Sequence, residues 1–340
     1  MSEYKYYKQL NDRKINILED LYNYRAMTTD QIKRIYFPNS KFYVNKVLYQ
    51  LRKSKYIASN TLKGSRKNKK GITYHRLTET GMECLLRHGV SVEGQVQNMY
   101  VKPSQLHYLL LANDVMIELR KEGWEMWDSR RVKKKYNLDD RTNILGVLIS
   151  PKGEQYGFYV TEDGIYSNTL GKIQSEIKMN HSIINNYIVF ARGQNAYNEF
   201  VKRAMDEEKP LNTGHKLKIL PFTTGLKFLG KYPDKTEWIK QMADHFGFEI
   251  ASMEKTEKRQ TFNTIIKYKG KEMYLVDLTD TNITTIHAIN SYNERAYDWE
   301  NRRRLLISSP APQLTILEDY IKGMYVEYLP ISSQDFSQLL

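Results

Sequence analysis

Apolar residues recur every three or four positions through the first fifty residues. In RKINILEDLYNYR (13–25), Ile15, Leu18, Leu21 and Tyr22 share one helical face. In MTTDQIKRIYF, Ile32, Ile35 and Tyr36 repeat the spacing, and Thr28 with Gln31 three residues on spells a capping box. Pro38-Asn39-Ser40 marks a turn, with Ser40 placed to cap a third helix, KFYVNKVLYQLRKSKY. Val44, Val47, Leu48 and Leu51 form its inward face. YIASNTL and ITYHRL then alternate as strands do. TETGMECLLRHG opens a fourth helix, capped by Thr78 or Thr80 and stopped by Gly89.

Between the two strands lies KGSRKNKKG (63–71), with five positive charges, no negative charge and a glycine near each end. Helix, short helix, turn, helix, strand, basic loop and strand together predict a winged helix-turn-helix over residues 1–90. The outer face of the third helix carries Lys41, Tyr43, Asn45, Lys46, Tyr49, Gln50, Arg52 and Lys53. Asn45 and Gln50 are of the type that bonds adenine bidentately, and the cations are of the type that positions a protein on phosphates. Tyr43 and Tyr49 serve either that surface or packing. Thr29, opening the second helix, joins the predicted interface, as do Lys63, Arg66, Lys67, Asn68, Lys69 and Lys70 of the basic loop. A winged helix devoted to protein contacts would instead show a neutral or apolar third helix and a short loop.

Charge sharpens this picture. Residues 1–80 hold 18 Lys/Arg and 6 Asp/Glu, a net +12 of the chain's +13. Such asymmetry points to a polyanion, because Lys and Arg release condensed counterions when they neutralise phosphates.

Further along, residues 91–105 read as a polar linker, and LHYLLLANDVMIELRKEG as an amphipathic helix bearing Leu106, Leu109, Leu110, Val115 and Leu119. That helix either pairs two subunits or packs on its own sheet. From 124 the pattern predicts strands in WEMWDSRRVKKKY, RTNILGVLIS and PKGEQYGFYVTED, then helix, strand and helix. Residues 211–235 read as loop. Helix, two strands across a Lys-Gly turn, helix, strand and helix follow. Residues 153–173 and 270–290 share a glycine turn, an apolar strand, an Asp near its end and a helix opening, at an offset of 117. The expected fold is therefore a multidomain α+β or α/β chain. Its parts are a winged helix (1–90), a linker (91–105), an α/β domain (106–210) and a C-terminal α/β domain (211–340) that is a candidate duplicate of the middle one.

Several chemistries lack their residues. The seven histidines at 75, 88, 107, 181, 215, 245 and 287 form no His-x-His or His-x-x-x-His pair, and Cys84 is the lone cysteine. No zinc site, disulfide or His-paired relaxase metal site is expected, and no cofactor. Phosphate-binding G-x-x-x-x-G-K-[ST], dinucleotide-binding G-x-G-x-x-G and Gly-x-Ser-x-Gly patterns do not occur. No apolar run approaches the length of a membrane span. The polar N-terminus and single cysteine predict a cytoplasmic protein.

The 28–53 helices, the YHRLTETG step, His107 with Asn113-Asp114-Val115, and the strands at 144–149 and 156–162 carry a resemblance. The chain resembles, over about residues 13–200, the replication-relaxation family of Gram-positive plasmids and mobile elements. The resemblance implies a restriction-endonuclease-like middle domain with a Pro-Asp on one strand and a carboxylate-x-Lys group on the next, holding a divalent metal. This sequence departs there. Leu145-Gly146 stands where Pro-Asp would be, Glu162 and Asp163 end the next strand, and Lys172 follows on the helix. In the second copy Asp277 and Asp280 lack a lysine at the required spacing, and Asp277 is expected as a buried helix-cap partner. The α/β units are thus expected as degenerate, non-catalytic scaffolds, and the protein as no enzyme.

The expected function is sequence-specific binding of double-stranded DNA, as a homodimer, at an origin or promoter of a plasmid, phage or conjugative element. The C-terminal region would oligomerise or bind a protein or small ligand. The alternatives are a transcriptional repressor or activator with a ligand- or peptide-sensing C-terminal region, and a metal-dependent nuclease or nicking accessory protein.

Overall fold

Asn11 starts the first helix by accepting a bond from the Lys14 amide at 3.2 Å. The computed structural model describes residues 10–40, 42–62, 71–165, 167–211, 214–255 and 260–340. The chain divides into two compact units, Met1–Ile117 and Glu118–Leu340.

Unit 1 runs α1 (Asp12–Tyr24), β1 (Met27–Thr28), α2 (Thr29–Tyr36), α3 (Tyr43–Lys53), β2 (Ile57–Leu62), β3 (Ile72–Leu77), α4 (Glu79–Arg87) and α5 (Pro103–Arg120). Its three strands pair antiparallel in the order β1-β3-β2. The expected capping box is present: the Thr28 hydroxyl accepts from the Gln31 amide, and the Gln31 side chain accepts from the Thr28 amide. Thr78 is the cap of α4, accepting from the Gly81 amide at 3.1 Å. Gly81 has a packing reason: a Cβ there would lie 2.2 Å from the Tyr56 carbonyl oxygen. Ile17, Leu18 and Leu21 of α1, Val44, Val47, Leu48 and Leu51 of α3, and Leu85 of α4 close a single core.

Residues 91–105 differ from the linker expectation. Tyr22 donates to the Glu93 carbonyl and accepts from the Glu93 amide. Arg25 donates to the carbonyls of Met99 and Tyr100, and Met99 and Val101 are buried. The polar composition concealed these few apolar anchors. The boundary expected at 106 also moves, because α5 through Ile117 belongs to unit 1. Buried Asn113 donates to the Ala26 carbonyl at 2.6 Å, satisfying backbone where the chain leaves α1. Asp114 accepts from Gln31 at 3.0 Å and pairs with Arg34, and Gln31 also donates to the Leu110 carbonyl. The Asn-Asp pair thus clamps α5 to α2.

Unit 2 holds two five-stranded sheets. The first is built from β4 (Glu125–Asp128), α6 (Ser129–Tyr136), β5 (Gly146–Ile149), β6 (Gln155–Glu162), α7 (Ser167–Asn180), β7 (Asn186–Arg192), α8 (Gln194–Ala204), β8 (Leu217–Pro221) and α9 (Phe222–Lys231). The second comprises α10 (Lys235–Phe246), β9 (Glu249–Ser252), β10 (Ile265–Tyr268), β11 (Lys271–Asp277), α11 (Ile283–Ser291), α12 (Glu294–Trp299), β12 (Arg304–Pro310), α13 (Ala311–Leu317), β13 (Val326–Ile331) and α14 (Ser333–Leu339). Both sheets keep sequence order, and in both the pairs run antiparallel, antiparallel, parallel, parallel. The two halves are built to one plan. Among the described residues no helix is long and apolar enough to cross a membrane.

Two local expectations fail. Residues 129–136 form α6 rather than strand, because Asp128 caps the Arg131 amide at 2.9 Å. Residues 217–231 form β8 and α9 rather than loop; Leu217, Ile219 and Leu220 are buried, and Pro221 precedes the helix.

One core joins the two sheets, with Val147, Tyr159, Tyr187 and Ile219 packed in the same cluster as Tyr274, Val276, Leu305 and Ile307. At the seam, the Ile219 amide donates to the Asp280 carbonyl at 3.2 Å. Buried Lys218 pairs with Asp280 at 3.2 Å, and Lys235 spans Asp277 at 2.8 Å and Asp280 at 2.6 Å. Burial opposes the charge of Asp280, yet the Lys235 and Lys218 ammoniums outweigh it and hold the carboxyl below its ordinary range. Asp277 also accepts from Trp238, Thr279 and Ser308. It is therefore a hub between elements, not the helix cap expected of it.

Replacing Lys235 with Met leaves buried Asp277 without a countercharge and Asp280 with Lys218 alone, and should cost about 3–5 kcal/mol, read as a shift in the unfolding midpoint of tryptophan emission. A cost below about 1 kcal/mol would show the hub to be unnecessary. A second expected outcome concerns His75, whose ring bonds the Thr29 hydroxyl at 2.9 Å and the Ser59 hydroxyl at 2.7 Å. Burial, with Arg52 acting in the same direction, pushes His75 from 6.5 down to about 4. Above pH 6.5 the folded and unfolded rings are both neutral and the contribution is complete. As pH falls toward 4, only the unfolded chain takes the proton, so roughly 3 kcal/mol is lost. An NMR titration of His75 should find its midpoint near 4; a midpoint near 6.5 would overturn this.

Candidate nucleic-acid interface

The surface of unit 1 follows from how α3 is seated. Ser40 accepts from the Tyr43 amide at 3.2 Å after the Pro38 turn, but it is not the cap expected of it, since Phe42 holds the N-cap position without a side-chain bond. Val44, Val47, Leu48 and Leu51 are almost wholly buried, which anchors one face. The opposite face is then fixed by the helical period. Tyr43, Asn45, Lys46, Tyr49, Gln50, Arg52 and Lys53 are all exposed. Lys46, Tyr49 and Lys53 run down the middle. Asn45 and Arg52 line one edge, Tyr43 and Gln50 the other. The helix contains no acidic residue. Every polar side chain on this face therefore presents a cation, an amide or a phenol.

The structure brings together these seven residues of the predicted interface. Thr29 does not join them, because its hydroxyl is occupied by His75 inside the unit. Tyr43 is shared between packing and surface: its ring meets Phe37 edge-on at 5.6 Å, yet 47% of it is exposed. Tyr49, at 59% exposure, belongs to the surface. Lys41 and the loop residues Lys63, Arg66, Lys67, Asn68, Lys69 and Lys70 lie outside the described residues. The strands that the basic loop joins are described, with Leu62 paired to Ile72.

Two residues at the ends of α3 escaped the sequence reading. Phe42 is 69% exposed just before the helix. Lys55 is exposed just after it, at φ 58°. An aromatic preceding the helix and the KSK run at its end were the available signals. Arg34 does not extend the basic face freely, since it is held by Asp30 at 3.0 Å and by Asp114.

The unit 2 carboxylates singled out by the sequence are each engaged. Glu162 pairs with Arg192 at 2.9 Å. Asp163 accepts from the Ala196 amide at 2.8 Å in the first turn of α8. Gly146, where the resemblance sought an acid, has no room for a side chain: a Cβ would lie 2.4 Å from the Trp127 carbonyl oxygen. At Asp277 and Asp280 the sequence lacked a lysine at the required spacing. The fold supplies two from elsewhere, Lys218 and Lys235. The Lys235 ammonium sits between both carboxylates. Among the described residues, no group of three or more His, Cys, Asp or Glu is gathered to hold a metal.

Neither a curated protein nor a solved structure matches the chain. A family model does match residues 18–145, the stretch that carries α2, α3, both strands of the hairpin, the Asn113-Asp114 clamp and α6. Over that segment, which is less than half of the chain, the protein is similar to the replication-relaxation family.

Proposed function

We propose that this protein is a sequence-specific double-stranded DNA-binding protein acting in the replication or relaxation of a plasmid or mobile element. Unit 1 is read as a winged helix: α2 and α3 are the helix pair, β2 and β3 the strands of the wing, and residues 63–71 the basic loop between them. The observation that carries this reading is the outer face of α3, which exposes three cations, two amides and no acid above a fully apolar inner face. In a major groove, Asn45 and Gln50 would read base edges while Lys46, Arg52 and Lys53 hold phosphates. The similarity of residues 18–145 to the replication-relaxation family supports the biological setting. Two copies on an inverted repeat match this geometry.

Unit 2 is read as two restriction-endonuclease-like halves that have become a scaffold for oligomerisation or partner binding. Supporting this, the lysine ammonium between Asp277 and Asp280 stands where a catalytic divalent cation would need both oxygens. Action at a promoter would use the same interface, so the position of the bound site separates the two roles.

Three measurements test these readings. Asn45→Ala or Gln50→Ala should relax sequence preference by about 1–3 kcal/mol at the base pair read, while binding to random duplex changes little. Equal loss on all sequences would assign these amides to the backbone instead. Replacing Arg66, Lys67, Lys69 and Lys70 with Ala should weaken binding alike on every sequence and flatten the salt dependence by about one unit of slope for each phosphate no longer neutralised. Unchanged binding by that variant at moderate salt would sink the wing assignment. Incubation of the bound site with magnesium or manganese should leave the DNA intact. Defined new ends, abolished by Asp277→Asn, would make unit 2 a nuclease.

A further inference from the structure

Unit 2 carries a second concentration of positive charge that the overall balance hides. Residues 118–340 hold 32 Lys/Arg and 30 Asp/Glu, a net +2. Within that nearly neutral unit, the eight residues of α6, SRRVKKKY, hold five cations and no acid. The five are not equivalent. Arg130 pairs with Asp128 at 2.9 Å. Lys133 turns inward and donates to the carbonyls of Asp140 and Thr142 at 2.8 and 2.9 Å. Arg131, Lys134 and Lys135 are exposed, and none has an ion-pair partner among the described residues.

These three cations share one side of the helix, at i, i+3 and i+4. Beneath them lies Trp127, from the strand just before the helix. The Arg131 guanidinium sits 4.6 Å and the Lys135 ammonium 3.7 Å from its ring centroid. The indole is half-buried and packs on the core of the unit. It therefore holds two like charges side by side on a rigid support. Cation–π attraction offsets part of their repulsion but supplies no countercharge. A surface that preorganises unneutralised cations suits a ligand with repeating negative charge.

The rest of the helix narrows the partner. Val132, the aliphatic residue of α6, is wholly buried, so the helix has no apolar face to insert into a bilayer. The side chains facing outward are cations with no amide among them, and most contacts that such side chains make with DNA go to phosphate oxygens. We propose that Arg131, Lys134 and Lys135, supported by Trp127, form a second, sequence-independent contact of this protein with the phosphate backbone of duplex DNA. The contact rests on the reading of unit 1 as the element that selects the site, since a backbone contact alone gives no position. Its effect is to extend the bound duplex beyond the segment covered by α3 and to raise the salt dependence of binding.

The test uses the full chain with Arg131, Lys134 and Lys135 replaced by Gln, beside a Lys46→Gln/Lys53→Gln variant of α3. Binding to a long duplex containing the selected site is measured across a salt series, and again on a duplex trimmed to the minimal site. The α6 variant should lose about two to three units of the log–log salt slope on the long duplex and bind at least tenfold more weakly at low salt. On the trimmed duplex it should match the unaltered protein. The charge-preserving pair R131K and K135R should keep the slope, which separates the effect of charge from that of packing on Trp127; should the triple variant fail to fold, Lys134→Gln alone should lower the slope by about one. Superposition of the α6 variants on the unaltered protein, while the α3 variant loses binding, would overturn this contact and leave the winged-helix reading standing. Absence of duplex binding by the unaltered protein would overturn both. Binding of the α6 face to anionic lipid vesicles in place of DNA would assign it to a membrane surface and overturn the proposal.

Discussion

Two carboxylates buried at the end of β11 set the terms for unit 2. An ionised Asp cannot stay in a protein interior without a countercharge, because the lost hydration costs several kcal/mol per ion. Asp277 and Asp280 are neutralised by Lys218 from β8 and Lys235 from the start of α10. Those lysines come from the first sheet and from the helix that opens the second. Neutralising the pair therefore ties the two halves together at one seam, reinforced there by the Ile219 amide and by Tyr197 bonded to Thr281 at 2.7 Å. The same arrangement has a chemical consequence. Carboxylate oxygens committed to an ammonium, an indole and two hydroxyls are poorly placed to share a divalent metal with a substrate.

Unit 1 solves a different problem, that of exposing a polar helix without loosening it. The inner face of α3 is fully buried, so its outer face needs no partner within the unit. Polar groups that do point inward are satisfied by side chains far along the chain. Gln31 serves the capping box and α5 together, and His75 bridges Thr29 and Ser59. Asn113 and Asp114, which stand out in the sequence as a motif, fill this same role. Asn113 closes the backbone after α1, and Asp114 holds Gln31 and Arg34 of α2. Their place in the motif is thus explained by support for the helix pair rather than by contact with a ligand.

The two basic surfaces differ in kind. On α3, cations are interleaved with amides and tyrosines, a mixture able to distinguish bases as well as hold a backbone. On α6, the exposed residues are cations set against a tryptophan, without amides among them. On the proposed reading, α3 would supply position and α6 length of contact.

The sequence by itself determined what depends on neighbours within one or two helical turns. The caps at Thr28 and Thr78, the inward stripe of α3, the exposed face opposite it and the Lys269-Gly270 turn were all legible, because hydrogen bonds and side-chain packing at i+3 and i+4 are set by the local period. The similarity between residues 153–173 and 270–290 was visible too, though only the paired strands showed that both sheets follow one plan. Where two local signals competed, as at 129–136, the apolar strand residues of 124–127 hid the Asp128 cap and the helix was missed. Tertiary structure alone decided the rest. It engaged the Thr29 hydroxyl with His75, packed residues 91–105 into unit 1, and brought Lys218 and Lys235 to Asp277 and Asp280. Each of these joins groups dozens of residues apart. Burial creates the need for a partner, but only the path of the chain through space determines which partner is within reach.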